Sequence, residues 1–109
     1  MKSVKIFGIP YQIEFGDDCR TLGKVEDDAR FLRGQFHRID FTIKLWKNMP
    51  KESIARTFYH ELLHGVIAEG HIDIPDEKEE AVVDQLANGL AEAMESLGIY
   101  VEKHLGKAK

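Results

Sequence analysis

The sequence predicts an α+β fold: an N-terminal antiparallel sheet of about three strands packed on two helices, the first of which carries a pair of histidines. Three observations lead there. Before Pro50 the apolar residues alternate with polar ones, the period of a half-buried strand. After Pro50 they recur every three to four residues, the period of a helix. The chain has 109 residues, enough for one small core and too few for a separate substrate domain.

Taken in order, Val4 and Ile6 mark a first strand, Ile9, Tyr11, Ile13 and Phe15 a second, and Ile39, Phe41, Ile43 and Leu45 a third. Gly8-Ile9-Pro10 reads as the turn between the first two. Asp17, Asp18, Gly23, Asp27 and Asp28 read as a loop, with a short extra element around Ala29 to Leu32. The first helix is expected from about Pro50 to about Glu69, with Asn48 as its cap and Glu52 near its positive end. Its apolar arc of Ile54, Phe58, Tyr59, Leu62, Leu63, Val66 and Ile67 is very broad, leaving a narrow strip for His60, Glu61 and His64. Gly70 through Pro75 breaks this helix. Asp76 and Glu79, spaced like a capping box, open a second. Its expected buried stripe is Val83, Leu86, Ala87, Leu90, Met94 and Leu97, and it ends near Gly98. Residues 99–109 read either as the start of a short strand at Ile99-Tyr100-Val101 or as a fraying polar tail. The chain thus divides into a β-rich part (1–47), a two-helix part (48–98) and a tail (99–109).

Composition excludes several classes of function. With 15 Lys+Arg against 19 Asp+Glu the net charge is −4, and basic residues gather only at Lys103, Lys107 and Lys109, so nucleic acid is not an expected partner. Apolar runs reach about three residues where a bilayer span needs about 20, so no membrane association is expected. The first residues lack the apolar stretch of a secretory signal, and Cys19 is the single cysteine. A cytoplasmic, disulfide-free protein is the expectation, and cysteine-based zinc fingers are excluded.

The informative segment is His60-Glu61-Leu62-Leu63-His64, an H-E-x-x-H on a helix. Histidines at i and i+4 stand one turn apart on one face, so their imidazoles can share one Zn²⁺. The Glu between them is placed to act as general base on the water that attacks. Catalytic zinc needs a third protein ligand and an open fourth position. His71 lies seven residues past His64, roughly 10.5 Å along an unbroken helix, too far unless Gly70 turns the chain back. Glu80 and Asp84, one turn apart on the second helix, are the better candidates, and Glu80 lies nearer the expected buried stripe. Asn88 is expected to be exposed. Cys19, in an acidic loop, reads as a quiet small residue, Trp46 as the apolar end of a strand, and His37 as a strand-surface or loop residue.

The segment His60 to His64, taken with Glu80-Ala81-Val82-Val83-Asp84-Gln85-Leu86-Ala87, resembles the gluzincin-type metallopeptidases and, more closely, the small phage and bacterial proteins of the ImmA/IrrE metallopeptidase type. The resemblance covers roughly Pro50 to Met94. It implies a single minimal zinc-metallopeptidase-like domain, with His60, His64 and Glu80 as metal ligands, Glu61 as the catalytic base and Asp84 in support. A rival register makes Asp84 the ligand, with Asn88 in support. Two departures stand out. Leu90-Ala91-Glu92-Ala93 lacks the Leu-Leu-Met-Pro-like ending of longer members, and the 16 residues from His64 to Glu80 require a tight connection.

The expected activity is zinc-dependent hydrolysis of a protein or peptide substrate, such as a phage or mobile-element repressor. The substrate strand would add to the sheet edge formed by Ile39 to Leu45. Tyr100, His71 and His104 are the candidate transition-state donors. The alternative is a non-catalytic binding module that keeps zinc for stability, its coordination closed by Glu80 and Asp84 together. With so little surface left over, specificity must come from a sheet edge, a homo-oligomer partner or a protein the chain binds.

Overall fold

A computed structural model describes residues 2–16 and 34–105 of the chain. The fold class is α+β, with a four-stranded sheet at the N-terminal side. Strands β1 (Lys2–Ile6) and β2 (Ile9–Gly16) form a hairpin, and β3 (Gly34–His37) and β4 (Thr42–Trp46) form a second. The sheet order is β1-β2-β4-β3, and the central pair β2 and β4 runs parallel, with Ile13 beside Ile43 and Phe15 beside Leu45. The sheet is therefore mixed, where the alternation alone suggested an antiparallel one.

Local sequence explains the differences. The first turn is Phe7-Gly8, with φ of +50° and +84°, the two positive values a two-residue hairpin of this twist demands. Ile9 and Pro10 already belong to β2. Ile39 and Phe41, which read as strand residues, form the tip between β3 and β4, and Ile39 is 92% exposed. The strand proper starts at Thr42, inside the sheet between β2 and β3. It is therefore not an edge that could accept a substrate strand; among the described residues the outer strands are β1 and β3. The predicted element around Ala29 to Leu32, the acidic loop and Cys19 lie outside the described residues.

Helix α1 (Lys51–Glu69) lies across the sheet, touching β1, β3 and β4. Pro50 occupies its N-cap position, with its carbonyl accepting from the N–H groups of Ser53 and Ile54 at 2.9 and 3.2 Å. Asn48 therefore stands in the preceding turn and is not the cap. Helix α2 (Asp76–Ser96) packs along α1. Because α2 is an outer layer, only Val83 and Ala87 of its stripe are fully buried, while Leu86 and Leu97 are exposed. A third short helix, α3 (Val101–Leu105), replaces the expected strand or polar tail, and Leu105 reaches the core.

The core gathers Ile6, Tyr11, Ile13, Ile43 and Leu45 from the sheet and Ile54, Phe58 and Tyr59 from α1. Two features hold α1 close. Gly65 lets it settle on the sheet, since a Cβ there would stand 2.7 Å from Ile6 Cδ1 and 2.8 Å from Phe36 Cε1. At its far end the Tyr11 hydroxyl donates to Glu69 Oε2 at 2.5 Å, with Arg38 3.7 Å from the same oxygen. Burial, reinforced by Glu69, pushes the Tyr11 phenol up to about 12.

Gly65→Val should lower the unfolding free energy by about 2 kcal/mol in a denaturant titration, through overpacking against Ile6 and Phe36. Gly89→Ala, at a helical position where a Cβ meets nothing within 4 Å, should raise it by about 0.5–1 kcal/mol.

Candidate metal centre

Four residues per step carries a position back to almost the same side of a helix. On α1, Ile54, Phe58, Glu61 and Gly65 form the buried, sheet-facing stripe, and His60 and His64 stand beside it on the side facing α2. The H-E-x-x-H segment is thus divided between two environments. The histidines line the α1–α2 seam, and Glu61, expected in the same open strip, is 9% exposed and turned toward the sheet. Gly34 of β3 makes that possible: a Cβ there would come within 2.7 Å of Thr57 Cγ2 and 3.1 Å of Glu61 Cγ.

Across the seam α2 supplies three carboxylates. His60 Nε2 and His64 Nε2 lie 3.3 Å apart. Glu80 straddles them, with Oε2 2.8 Å from His60 Nε2 and Oε1 3.0 Å from His64 Nε2. The outer nitrogens are engaged separately, His60 Nδ1 by Asp84 Oδ1 at 3.3 Å and His64 Nδ1 by Glu79 Oε2 at 2.7 Å. The imidazoles are mostly buried, whereas the Glu80 and Asp84 side chains are largely exposed. His60, His64 and Glu80 form a group that could hold a metal ion, each offering one ligand atom within 4.8 Å of the others.

The electrostatics point the same way. An Nδ1–H that donates to a carboxylate leaves the Nε2 of a neutral ring as a bare lone pair. With both protons on Nδ1, two lone pairs and a carboxylate face one point, an arrangement that a metal ion would stabilise. A carboxylate stands near each ring nitrogen, so the ring planes are held from both sides.

The connection between the helices is as tight as the sequence required. At the end of α1 the N–H of Ile72 bonds to the Ile67 carbonyl at 3.0 Å and that of His71 to the Ala68 carbonyl at 3.4 Å. This is a Schellman closure with His71, at φ +53°, in the left-handed position usually held by glycine. His71 is locked into the turn, exposed, and outside the metal-binding group. Tyr100 is likewise removed, lying at the α2–α3 corner under the Lys103 ammonium, and His104 is exposed on α3. His37 lies on β3, bonded to Gln35 Oε1, and Trp46 ends β4 half-buried, its indole nitrogen without a hydrogen-bond partner among the described residues.

Glu79 is the residue whose role the sequence hid. Asp76 is already helical and neither residue caps α2, so the spacing that resembled a capping box instead points Glu79 back at His64. Asp84 Oδ1 meets the outer nitrogen of His60 at 3.3 Å, and Asn88 is exposed one turn further along. Comparison with family models, with curated proteins and with solved structures finds no match for this chain.

Burial is the main cause that raises the Glu61 carboxyl above the ordinary carboxylate range; His60 and His64 oppose it and Glu80 adds to it. The folded chain therefore holds this proton more tightly than the unfolded chain, and ionised Glu61 subtracts stability at neutral pH. In chelator-treated protein, Glu61→Gln should be more stable than wild type at pH 7. The difference should close as the pH falls into the carboxylate range; urea titrations across pH giving a constant difference would contradict it.

Proposed function

We propose that the chain is a zinc-dependent peptidase acting on a protein substrate, with His60, His64 and Glu80 as metal ligands and Glu61 as the catalytic base. The observation that carries this reading is the meeting of three ligand atoms beside a buried carboxylate at the rim of an exposed sheet edge. Two nitrogens bound to zinc at about 2.0–2.1 Å in a tetrahedron lie about 3.3 Å apart, which matches the separation of the two Nε2 atoms. Soft thiolates are absent from this donor set, and two imidazoles with one carboxylate suit zinc in a site with an open fourth position.

When bound there, zinc supplies Lewis acidity toward a peptide carbonyl and toward water. The chain's own residues do the rest. Glu61 takes a proton from the attacking water on its carboxylate and delivers it to the departing amine. A carboxyl whose proton affinity is raised by burial is better matched to that exchange near neutral pH than an exposed one. Asp84 and Glu79 keep the two imidazoles in the tautomer and orientation their task needs.

Strand β3 supports the substrate side of the reading. Among the described residues no strand lies on its outer side, and Gly34 brings its backbone against Glu61. An extended peptide added to this edge by main-chain hydrogen bonds would pass the base. The resemblance to the ImmA/IrrE type makes a phage or mobile-element repressor the first substrate to test. The alternative of a closed, structural zinc site is less well supported, because Asp84 engages the outer nitrogen of His60 rather than completing a coordination sphere.

The purified chain should carry one zinc per molecule by native mass spectrometry. Glu61→Gln should keep the zinc and lose at least a hundredfold in cleavage of a candidate repressor, whereas Glu80→Ala should lose the metal. Asp84→Ala should weaken zinc binding by roughly 10–100-fold. Equal cleavage by wild type and Glu61→Gln would overturn the peptidase reading, and retention of zinc by Glu80→Ala with its loss in Asp84→Ala would hand the ligand's role to Asp84.

A further inference from the structure

The α1–α2 seam does not end at the histidines. One turn back from His60 stands Arg56 and one turn on from Asp84 stands Asn88, and from there the helices, closed off by the start of α3, enclose a groove of about 550 Å³. Its apolar and aromatic lining includes Ala55, Tyr59, Ala91, Met94 and Ile99. Glu52, Glu92, Glu95 and Glu102 line it together with one cation, Arg56. None of these four carboxylates forms an ion pair or hydrogen bond among the described residues, in contrast to Glu79, Glu80 and Asp84 at the metal end.

A second observation points to a ligand. Tyr59 is 8% exposed and lies in the groove lining, yet its hydroxyl has no hydrogen-bond partner among the described residues. The ring is buried while the hydroxyl stays open to solvent, so its hydrogen-bonding capacity is free for a ligand. Burial first, and the Glu102 charge second, hold its proton on, and the oxygen of a neutral phenol can still accept from an N–H donor. Gly89 also lines the groove, where a Cβ would meet nothing within 4 Å. A helical glycine that packing does not require leaves backbone open to close approach.

We propose that this groove is a substrate subsite that takes a basic side chain, the guanidinium or ammonium of Arg or Lys, from a peptide whose backbone passes the metal centre. This rests on the peptidase reading for its substrate, while its chemistry is the groove's own. The long apolar stem of such a side chain covers Met94 and the tyrosine ring, and its charged head reaches the unpaired carboxylates. Glu92 lies eight residues along α2 from Asp84, roughly 12 Å, which an extended peptide spans in about three to four residues. The basic residue is therefore expected about three to four positions from the bond cleaved.

The test uses the full chain carrying Glu61→Gln and two capped hexapeptides that differ only in Arg against its neutral isostere citrulline, with and without zinc. Titrations followed by ¹H–¹⁵N NMR should show the Arg peptide binding at least fivefold more tightly. Shifts should fall on the amides of Asn88, Gly89 and Tyr100, and the preference should vanish in the exposed double variant Glu92→Gln/Glu95→Gln. Equal affinity for the two peptides, or shifts confined to other surfaces, would overturn the subsite. A charge preference that persists without zinc, in a chain whose wild type cleaves nothing, would leave the subsite standing and remove the peptidase reading alone.

Discussion

Everything in the centre depends on how the outer nitrogens of two imidazoles are held. His60 and His64 could turn their rings many ways on an isolated helix. Asp84 at 3.3 Å from one Nδ1 and Glu79 at 2.7 Å from the other leave both Nε2 atoms aimed at the place Glu80 also faces. A carboxylate on an imidazole N–H is a charge-assisted bond, stronger than its neutral equivalent, and it sets the tautomer as well as the plane. Three of these acids come from little more than one turn of α2, so the angle and register of α2 against α1 decide whether the lone pairs meet.

The remainder of the fold fixes α1, which presents different chemistry on different sides. Its sheet-facing stripe carries Glu61 between apolar neighbours and needs the close approach that Gly34 and Gly65 allow. The Tyr11–Glu69 hydrogen bond fastens its far end to β2, and the closure at His71 and Ile72 returns the chain into α2 within a few residues. Glu61 and the histidines are adjacent in sequence but differ in dielectric surroundings. Burial raises the proton affinity of the acid, while the histidines keep charged partners at the edge of solvent.

Much of this was legible from the residues. Alternation in Ile9, Tyr11, Ile13 and Phe15 and the helical period after Pro50 placed β2, α1 and α2, because each of those elements is long and keeps one period along most of its length. The pattern failed where burial and alternation part company. Gly34-Gln35-Phe36-His37 has one apolar residue and still forms an edge strand, since its pairing with β4 and the glycine contact with α1 stabilise it. Ile39 and Phe41 alternate like strand residues yet lie in a turn. Leu86 and Leu97 have the right period but stand on an outer helix with nothing beyond them among the described residues. Of the centre, the spacing of His60, Glu61 and His64 was explicit, and position on α2 put Glu80 ahead of Asp84 while leaving both registers open. Glu79 was concealed because one spacing serves both a helix cap and a contact across the seam, and the groove was invisible because it is built from three helices.

The central claim is that the acids on the outer nitrogens commit both histidines to present Nε2 to a metal. Two-bond ¹H–¹⁵N correlation spectra of the histidine rings, recorded with stoichiometric zinc, test it most directly. The account predicts a proton on Nδ1 and a metal-bound Nε2 for both His60 and His64, with Glu79→Ala disturbing His64 more than His60. Coordination through Nδ1, or ring spectra that zinc leaves unchanged, would contradict it.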